Sequence, residues 1–178
     1  MQPHNAMQQT PPDSPYKPAF GRARRLMQRV LEGRRLSEAG PETLEEWLCR
    51  LSEELTLCGA EFRVFITGKS RALKPAIQEQ IYLIGREAVI NALHHSRAAG
   101  IEVEVDYSRP WFRMVVRDDG CGIDPKILKA ELRAHQGLLE MHERAENMGA
   151  RLRIWSRPGA GTEVEISIPS YIAAETSA

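Results

Sequence analysis

The spacing of apolar residues changes several times along the chain, and each change predicts an element. Residues 1–18, MQPHNAMQQTPPDSPYKP, are rich in Pro and Gln with almost no recurring apolar position, which predicts a disordered lead. In ARRLMQRVLEGRRLS, Leu26, Met27, Val30 and Leu31 form one stripe among arginines, so residues 19–40 read as a basic amphipathic helix. PETLEEWLCRLSEEL then sets Leu44, Trp47, Leu48, Leu51 and Leu55 on one helical face. Pro41 suits its first turn, and the early glutamates suit the positive end of the helix dipole. EFRVFIT alternates, with Phe62, Val64 and Ile66 against Arg63, Phe65 and Thr67, and reads as a strand stopped by Gly68. A long helix is predicted from Pro75 to Ala99, closed by Gly100. Two alternating strands, IEVEVDY and WFRMVVRD, meet through Ser108 and Pro110. The turn DDGCGIDP, a short helical stretch ILKAELRA and a helix GLLEMHERAENMG come next. RLRIWSR and GTEVEISIP form a last pair of strands around Pro158, Gly159 and Ala160. Residues 171–178 carry no pattern and read as a tail.

Hairpins with helices collected between them predict an α/β fold, a two-layer sandwich of a mixed sheet with helices on one face. A doubly wound fold would need strict alternation of strand and helix, which is absent. Length and composition narrow the classes further. The 178 residues suit one domain with a helical appendage, and 42% hydrophobic residues supply a single core. No apolar stretch approaches a bilayer span, and no N-terminal run looks like a signal peptide. Lys plus Arg equal Asp plus Glu at 24 each, so the basic surplus of a nucleic-acid binder is missing. Cys49, Cys58 and Cys121 lack paired spacing, which argues against a disulfide scaffold or structural zinc and for a reducing cytoplasm.

Four segments carry candidate chemistry. Glu87 and Asn91 lie one helical turn apart among Leu83, Ile84 and Ile90, where a carboxylate beside an amide oxygen suits Mg²⁺ or an attacking group. An exposed polar stripe would have the same spacing. Asp118 ends a strand and leads into Gly120 and Gly122, residues that allow close backbone approach to a ligand. Asp and Gly also dominate ordinary turns. Gly137 precedes a helix whose free amides suit phosphate, with Arg133 and His135 nearby, and Thr162 opens the last strand after a Gly-rich turn. The pattern is neither a Walker A loop nor a GxGxxG fingerprint.

Taken in order, EAVIN on a helix, DDGCG after a strand, QGLLEM opening a helix and GAGTEVEISIP closing the sheet resemble the ATP-binding module of sensor histidine kinases. That module belongs to the ATPase superfamily with the Bergerat fold, which includes gyrase, Hsp90 and MutL. REAVINALHHSRA and the short lid before GLLEMHERA are most similar to the compact-lid branch. The resemblance covers residues 41–170. It implies ATP and Mg²⁺ as ligands, with Asp118 accepting from the adenine amino group and Thr162 supporting a bridging water. It makes Asn91 the protein ligand to Mg²⁺ and Glu87 the polarising base for phosphoryl transfer. Gly120, Gly122, Ile123 and Gly161 would line the base. His94, His95, His135, Gly137 and Leu138 would face the phosphates.

The resemblance also implies a dimerisation segment bearing the phosphoacceptor histidine, a response regulator as partner, a homodimer, and a cytoplasmic location or the cytoplasmic part of a membrane-anchored sensor. The helix at 19–40 resembles only the end of a dimerisation hairpin, and no histidine of this chain has the phosphoacceptor context. The transfer is therefore expected to reach a histidine on another segment or chain. Two other readings stand beside it. One is a serine kinase acting on an anti-anti-sigma factor. The other is a non-catalytic nucleotide-binding module, favoured by Glu140 where relatives read Gly and His94 where many carry Lys or Arg.

Overall fold

A computed structural model of the chain describes residues 43–57, 61–96, 98–108, 110–123 and 136–175. The expectations for the lead, the basic amphipathic helix, Pro41, the stretch ILKAELRA and His135 lie outside the described residues. Helix α1 spans Leu44–Leu57, β1 Glu61–Thr67, α2 Pro75–Asn91, β2 Gly100–Asp106 and β3 Trp111–Asp118. Helix α3 spans Gln136–Asn147, β4 Arg151–Ser156, β5 Thr162–Pro169 and α4 Ser170–Ala173.

The sheet order is β1-β2-β3-β5-β4, with β1 parallel to β2 and every other neighbour antiparallel. This is the mixed sheet that the alternation predicts. Because side chains alternate across a strand, Phe62, Ile101, Val103, Val105, Phe112, Met114, Val116, Val164, Ile166 and Ile168 share one face. They form one core with Leu48, Leu51, Ile81, Ile84, Val89 and Met141 from the helices. At the centre α2 lies close to the sheet. A methyl on Gly85 would come within 2.7 Å of Met114 Cε, the flexible end of that side chain.

The opposite face bears charge. Arg113 reaches Glu104 at 2.6 Å and Glu165 at 3.3 Å, and Arg117 reaches Glu104 at 2.9 Å and Glu163 at 2.5 Å. Each such pair on a wet surface is worth little alone. Together the arginine stems cover Val115, which lies on this outward row between Glu104 and Glu165 yet is 0% exposed.

Helix α1 begins at Leu44. Thr43 and Glu46 cap it reciprocally, with the Glu46 amide on Thr43 Oγ1 at 3.2 Å and the Thr43 amide on Glu46 Oε2 at 2.8 Å. Helix α2 does not run to Ala99. It widens into a π-helical turn, Ala92–Ser96, and Gly100 starts β2 instead of capping a helix. Finally, residues 170–175, past Pro169, are structured. Helix α4 comes directly after it, and Ala174 bridges to Leu73. Among the described residues no helix is long and apolar enough to cross a membrane.

Helix α1 is fastened at its start as well as along its apolar face. The Glu45 carboxylate accepts from Tyr107 Oη at 2.6 Å and Ser70 Oγ at 2.5 Å. Burial alone would push the Glu45 carboxyl up. The hydroxyls of Ser70 and Tyr107, with its own backbone amide, outweigh that and hold it below the usual carboxylate range. A carboxylate depressed in this way stabilises the fold fully at neutral pH, and the contribution is lost as pH falls through its folded value. Tyr107→Phe is expected to cost about 1–2 kcal/mol in urea unfolding near pH 7. The difference from the parent should shrink when the measurement is repeated in acid; a constant difference would assign the effect to packing.

Candidate functional site

The C-terminal end of β3 delivers Asp118 to the rim of the sheet, directly opposite Thr162 at the start of β5. Asp118 Oδ1 accepts the Gly120 amide at 2.9 Å, an interaction that folds the chain back immediately after the strand. Burial pushes the Asp118 carboxyl above its ordinary range. The Gly120 amide, the Ser96 hydroxyl and the Thr162 amide oppose this without cancelling it, and neighbouring Asp119 adds to it. A half-buried acid with a raised proton affinity is costly to keep ionised, which marks it as a functional candidate.

The walls around it are backbone. A methyl on Gly161 would strike the Asp118 carbonyl, one on Gly122 would strike the Arg157 carbonyl, and one on Gly120 would lie 2.5 Å from Ser96 Oγ. Gly122 and Gly161 also sit at φ 65° and 82°, in the left-handed region that side chains disfavour. Both demands fall on the same two residues, so the motif glycines are required by the turn whether or not a ligand is present. What the turn leaves is glycine backbone beside an acid.

Hydroxyls lock this rim. Ser156 Oγ receives the Ile123 amide at 2.7 Å, and lies 3.0 Å from the Gly161 carbonyl and 2.9 Å from Thr162 Oγ1. A hydroxyl has one proton. If Ser156 donates to Gly161, Thr162 must donate to Ser156, and Thr162 Oγ1 then keeps its lone pairs for an incoming donor. Asp119, next to Asp118, has a different task. Its Oδ1 takes the Ala99 amide at 2.7 Å and the Gly100 amide at 2.9 Å, pinning the segment after the π-helical turn.

A second cluster forms where α2 meets α3. The Glu87 carboxylate lies against Gly137 so closely that a methyl there would collide with Glu87 Oε1. Asn91 stands one turn further along α2, at the start of the π-helical turn that ends in Ser96 beside Asp118. The two clusters are thus joined by five residues of chain. Glu87 and Asn91 supply hard oxygen donors, and among the described residues no group of three His, Cys, Asp or Glu side chains could hold a metal. A divalent ion at Asn91 would need oxygens from a ligand and water.

Of the residues singled out in the sequence, Asp118, Gly120, Gly122, Ile123, Gly161 and Thr162 come together at the rim, and Glu87, Asn91 and Gly137 along α2 and its crossing with α3. Leu138 turns into the core, so its side chain is spent on packing. His94 and His95 lie on the π-helical turn; their side chains, like His135, lie outside the described part of the chain. Glu140 does not stand as a bare charge, since Gln136 Nε2 donates to it at 3.0 Å and Arg144 lies 3.7 Å away. His142 is turned to its own helix, with Nδ1 3.0 Å from the Leu138 carbonyl. Ser96, Ser156 and Asp119 are the residues pattern reading missed. Only Ser156 left a trace, as a polar residue at the inward position after Leu152 and Ile154.

The chain has counterparts among known proteins. Residues 76–172, more than half of the chain, match the family model described as histidine kinase-, DNA gyrase B- and HSP90-like ATPase. The chain is 29% identical over 127 residues to the signal transduction histidine-protein kinase/phosphatase DegS of Bacillus subtilis, covering 71% of this chain and 33% of that protein. It is 26% identical over 165 residues to the nitrate/nitrite sensor protein NarX of Escherichia coli, covering 73% and 27%. The chain therefore spans about a third of the length of the curated relatives it matches. Among solved structures, the histidine kinase domain of the Erythrobacter litoralis EL346 blue-light activated kinase aligns with a TM-score of 0.59 at 20% identity, over 87% of this chain and 81% of that one. The catalytic domain of histidine kinase ThkA aligns with a TM-score of 0.57 at 15% identity, over 72% and 94%.

Proposed function

Because the chain belongs to the histidine kinase-, DNA gyrase B- and HSP90-like ATPase family, we propose that it is the ATP- and Mg²⁺-binding catalytic module of a sensor histidine kinase. The observation that carries this reading is Asp118, a half-buried acceptor held at the sheet rim with glycine backbone on its flank and Thr162 opposite. An acid so placed suits the exocyclic amine of adenine, which brings donors and no charge. A water donating to Thr162 Oγ1 would bridge it to the same ring. Gly120, Gly122, Ile123 and Gly161 present backbone to the base.

From the rim the phosphates would run along the π-helical turn, past His94 and His95, towards Gly137 and the first amides of α3, with His135 nearby. Asn91 would hold Mg²⁺ through its amide oxygen. When bound, that ion supplies charge neutralisation between adjacent phosphates. Glu87 would accept the remote N–H of a histidine imidazole presented by the dimerisation segment. The other ring nitrogen then attacks the γ-phosphorus, a P–N bond forms, and the P–O bond to ADP breaks. Glu87 takes up the proton that the imidazole sheds. From phosphohistidine the group would pass to an aspartate of a response regulator. Such a module works in the cytoplasm, alone or attached to a membrane-anchored sensor, and as a dimer.

The Gln136 and Arg144 contacts at Glu140 temper its acidic charge, one of the two departures, with His94, that favour a non-catalytic module. Calorimetric titration with ATP, with and without Mg²⁺, tests the binding half of the proposal. Radiolabel transfer to a separately supplied dimerisation hairpin tests the other half. Acid-labile, alkali-stable product is expected. Acid-stable product would indicate a serine kinase instead, and absence of heat at millimolar ATP would remove the nucleotide reading altogether.

A further inference from the structure

The outer face of the sheet sorts its charges strand by strand. β2 presents Glu102 and Glu104, β3 Arg113 and Arg117, β5 Glu163 and Glu165, and β4 Arg151 and Arg153, all on the side away from the core. Acidic and basic strands therefore alternate. β3, the basic strand inside the sheet, is answered on both flanks: Arg113 by Glu104 and Glu165, Arg117 by Glu104 and Glu163. The alternation then stops on a basic strand, because β4 is an edge and pairs only with β5. Arg153 lies 3.8 Å from Glu165, which it shares with Arg113. Arg151, across from Ser167, has no ion-pair partner among the described residues. An edge strand also leaves a row of amides and carbonyls outside any ladder. Arginines on an edge can serve merely to keep copies of a protein apart. Trp155 argues for more. It continues the outward row, is 47% exposed, and has the Arg153 guanidinium 5.8 Å from its ring centre. An exposed tryptophan invites contact, and tryptophan and arginine are concentrated at the anchoring points of protein interfaces.

We propose that the free edge of β4 docks an extended segment of another protein, one that alternates acidic and apolar residues and joins the sheet as a further strand. Its acidic side chains would lie on the outer face beside Arg151 and Arg153. Its apolar ones would lie on the inner face beside the half-buried Leu152 and Ile154. Its backbone would take up the open amides and carbonyls of β4, the source of affinity in strand addition, while the alternation sets register. Charge selects against other occupants. A second β4 would bring arginines against arginines, and like charges opposite one another destabilise a sheet. A nucleic acid or a lipid surface would meet the arginines but leave the row of backbone groups unused. The proposal does not depend on nucleotide binding, since Arg151, Arg153 and Trp155 lie on the opposite face of β4 from Ser156 and the rim.

The test titrates the full chain with a capped peptide of alternating glutamate and valine, read by calorimetry and by hydrogen exchange at residues 151–156. Micromolar binding with slowed exchange along β4 is expected. A strand pairs with one neighbour through the amides of alternate residues. Of two N-methylated peptides, one blocked at every glutamate and one at every valine, one should therefore lose binding and the other keep it. These peptides probe the pairing without altering the protein. Arg151→Glu should weaken the parent peptide about tenfold, and Trp155→Ala by a similar factor, with the melting temperature unchanged. The same result for both methylated peptides, or no binding at millimolar peptide, would overturn strand docking. So would equal binding of a peptide of the same composition with its glutamates gathered at one end. Tighter binding of a duplex oligonucleotide or of anionic vesicles, lost in the same variants, would make the edge a surface for phosphates and overturn it as well.

Discussion

Asp118→Asn should yield a folded protein that no longer takes up ATP. An asparagine amide can still accept the Gly120 amide, so the turn survives, but the face offered to the purine amine turns from pure acceptor to part donor. Loss of one charge-assisted contact and gain of a donor facing a donor should weaken binding at least ~100-fold, beyond ordinary calorimetric range. Stability should move the other way. The Asp118 carboxyl has its proton affinity raised in the fold, chiefly by burial, so the native state holds that proton more tightly than the unfolded chain does. Stability contributed at this site therefore falls as pH rises through the raised value, and at neutral pH the ionised acid is a cost. Removing it should leave the melting temperature at pH 7 unchanged or higher, with the advantage fading in acid. A variant that lost binding and stability together would mean that Asp118 holds the turn and reads no base.

Glu87→Gln should do the converse, sparing nucleotide affinity while lowering phosphoryl transfer by about 10²–10⁴-fold, the usual range for losing a positioned base. Glutamine keeps the shape that lies against Gly137, so the crossing of α2 and α3 should hold. Rapid-quench measurement of phosphohistidine on the dimerisation hairpin, with ATP saturating, isolates the transfer step from binding. Transfer at the parent rate would place the base elsewhere. A parallel loss of affinity would move Glu87 into the binding set.

Most of the sheet was legible because alternation is a local signal. β3 runs from Trp111 to Asp118 and β1 from Glu61 to Thr67, as their apolar periods predict. The failures have distant causes. Nothing in NALHHSRA announces a π-helical turn; it is stabilised by Cys121 and Asp119, which bond to Ser96, Ala99 and Gly100 from about twenty residues along the chain. Ser96 and Ser156 are ordinary serines until folding puts them beside Asp118 and Thr162. The alternating Glu and Arg of β2, β3 and β5 are visible in sequence, but which charge meets which is decided by register alone. For the site the motif glycines and acids were readable, since they combine scarce conformations with chemistry. The side chain of Leu138 packs into the core, a direction that tertiary packing rather than local pattern decides for a residue on a helix first turn.

The match to the ATPase family begins at residue 76, yet α1 and β1 precede it and are inseparable from the rest of the core. Trp47 sits edge-on to Tyr82 at 4.7 Å between ring centres, and β1 is hydrogen-bonded along its whole length to β2. The folded unit therefore includes Thr43 and its cap. Engineers wishing to graft a foreign sensory input onto this ATPase-family domain should place the fusion joint upstream of that threonine, because a junction at residue 76 would leave a raw hydrophobic underside and a protein prone to precipitate.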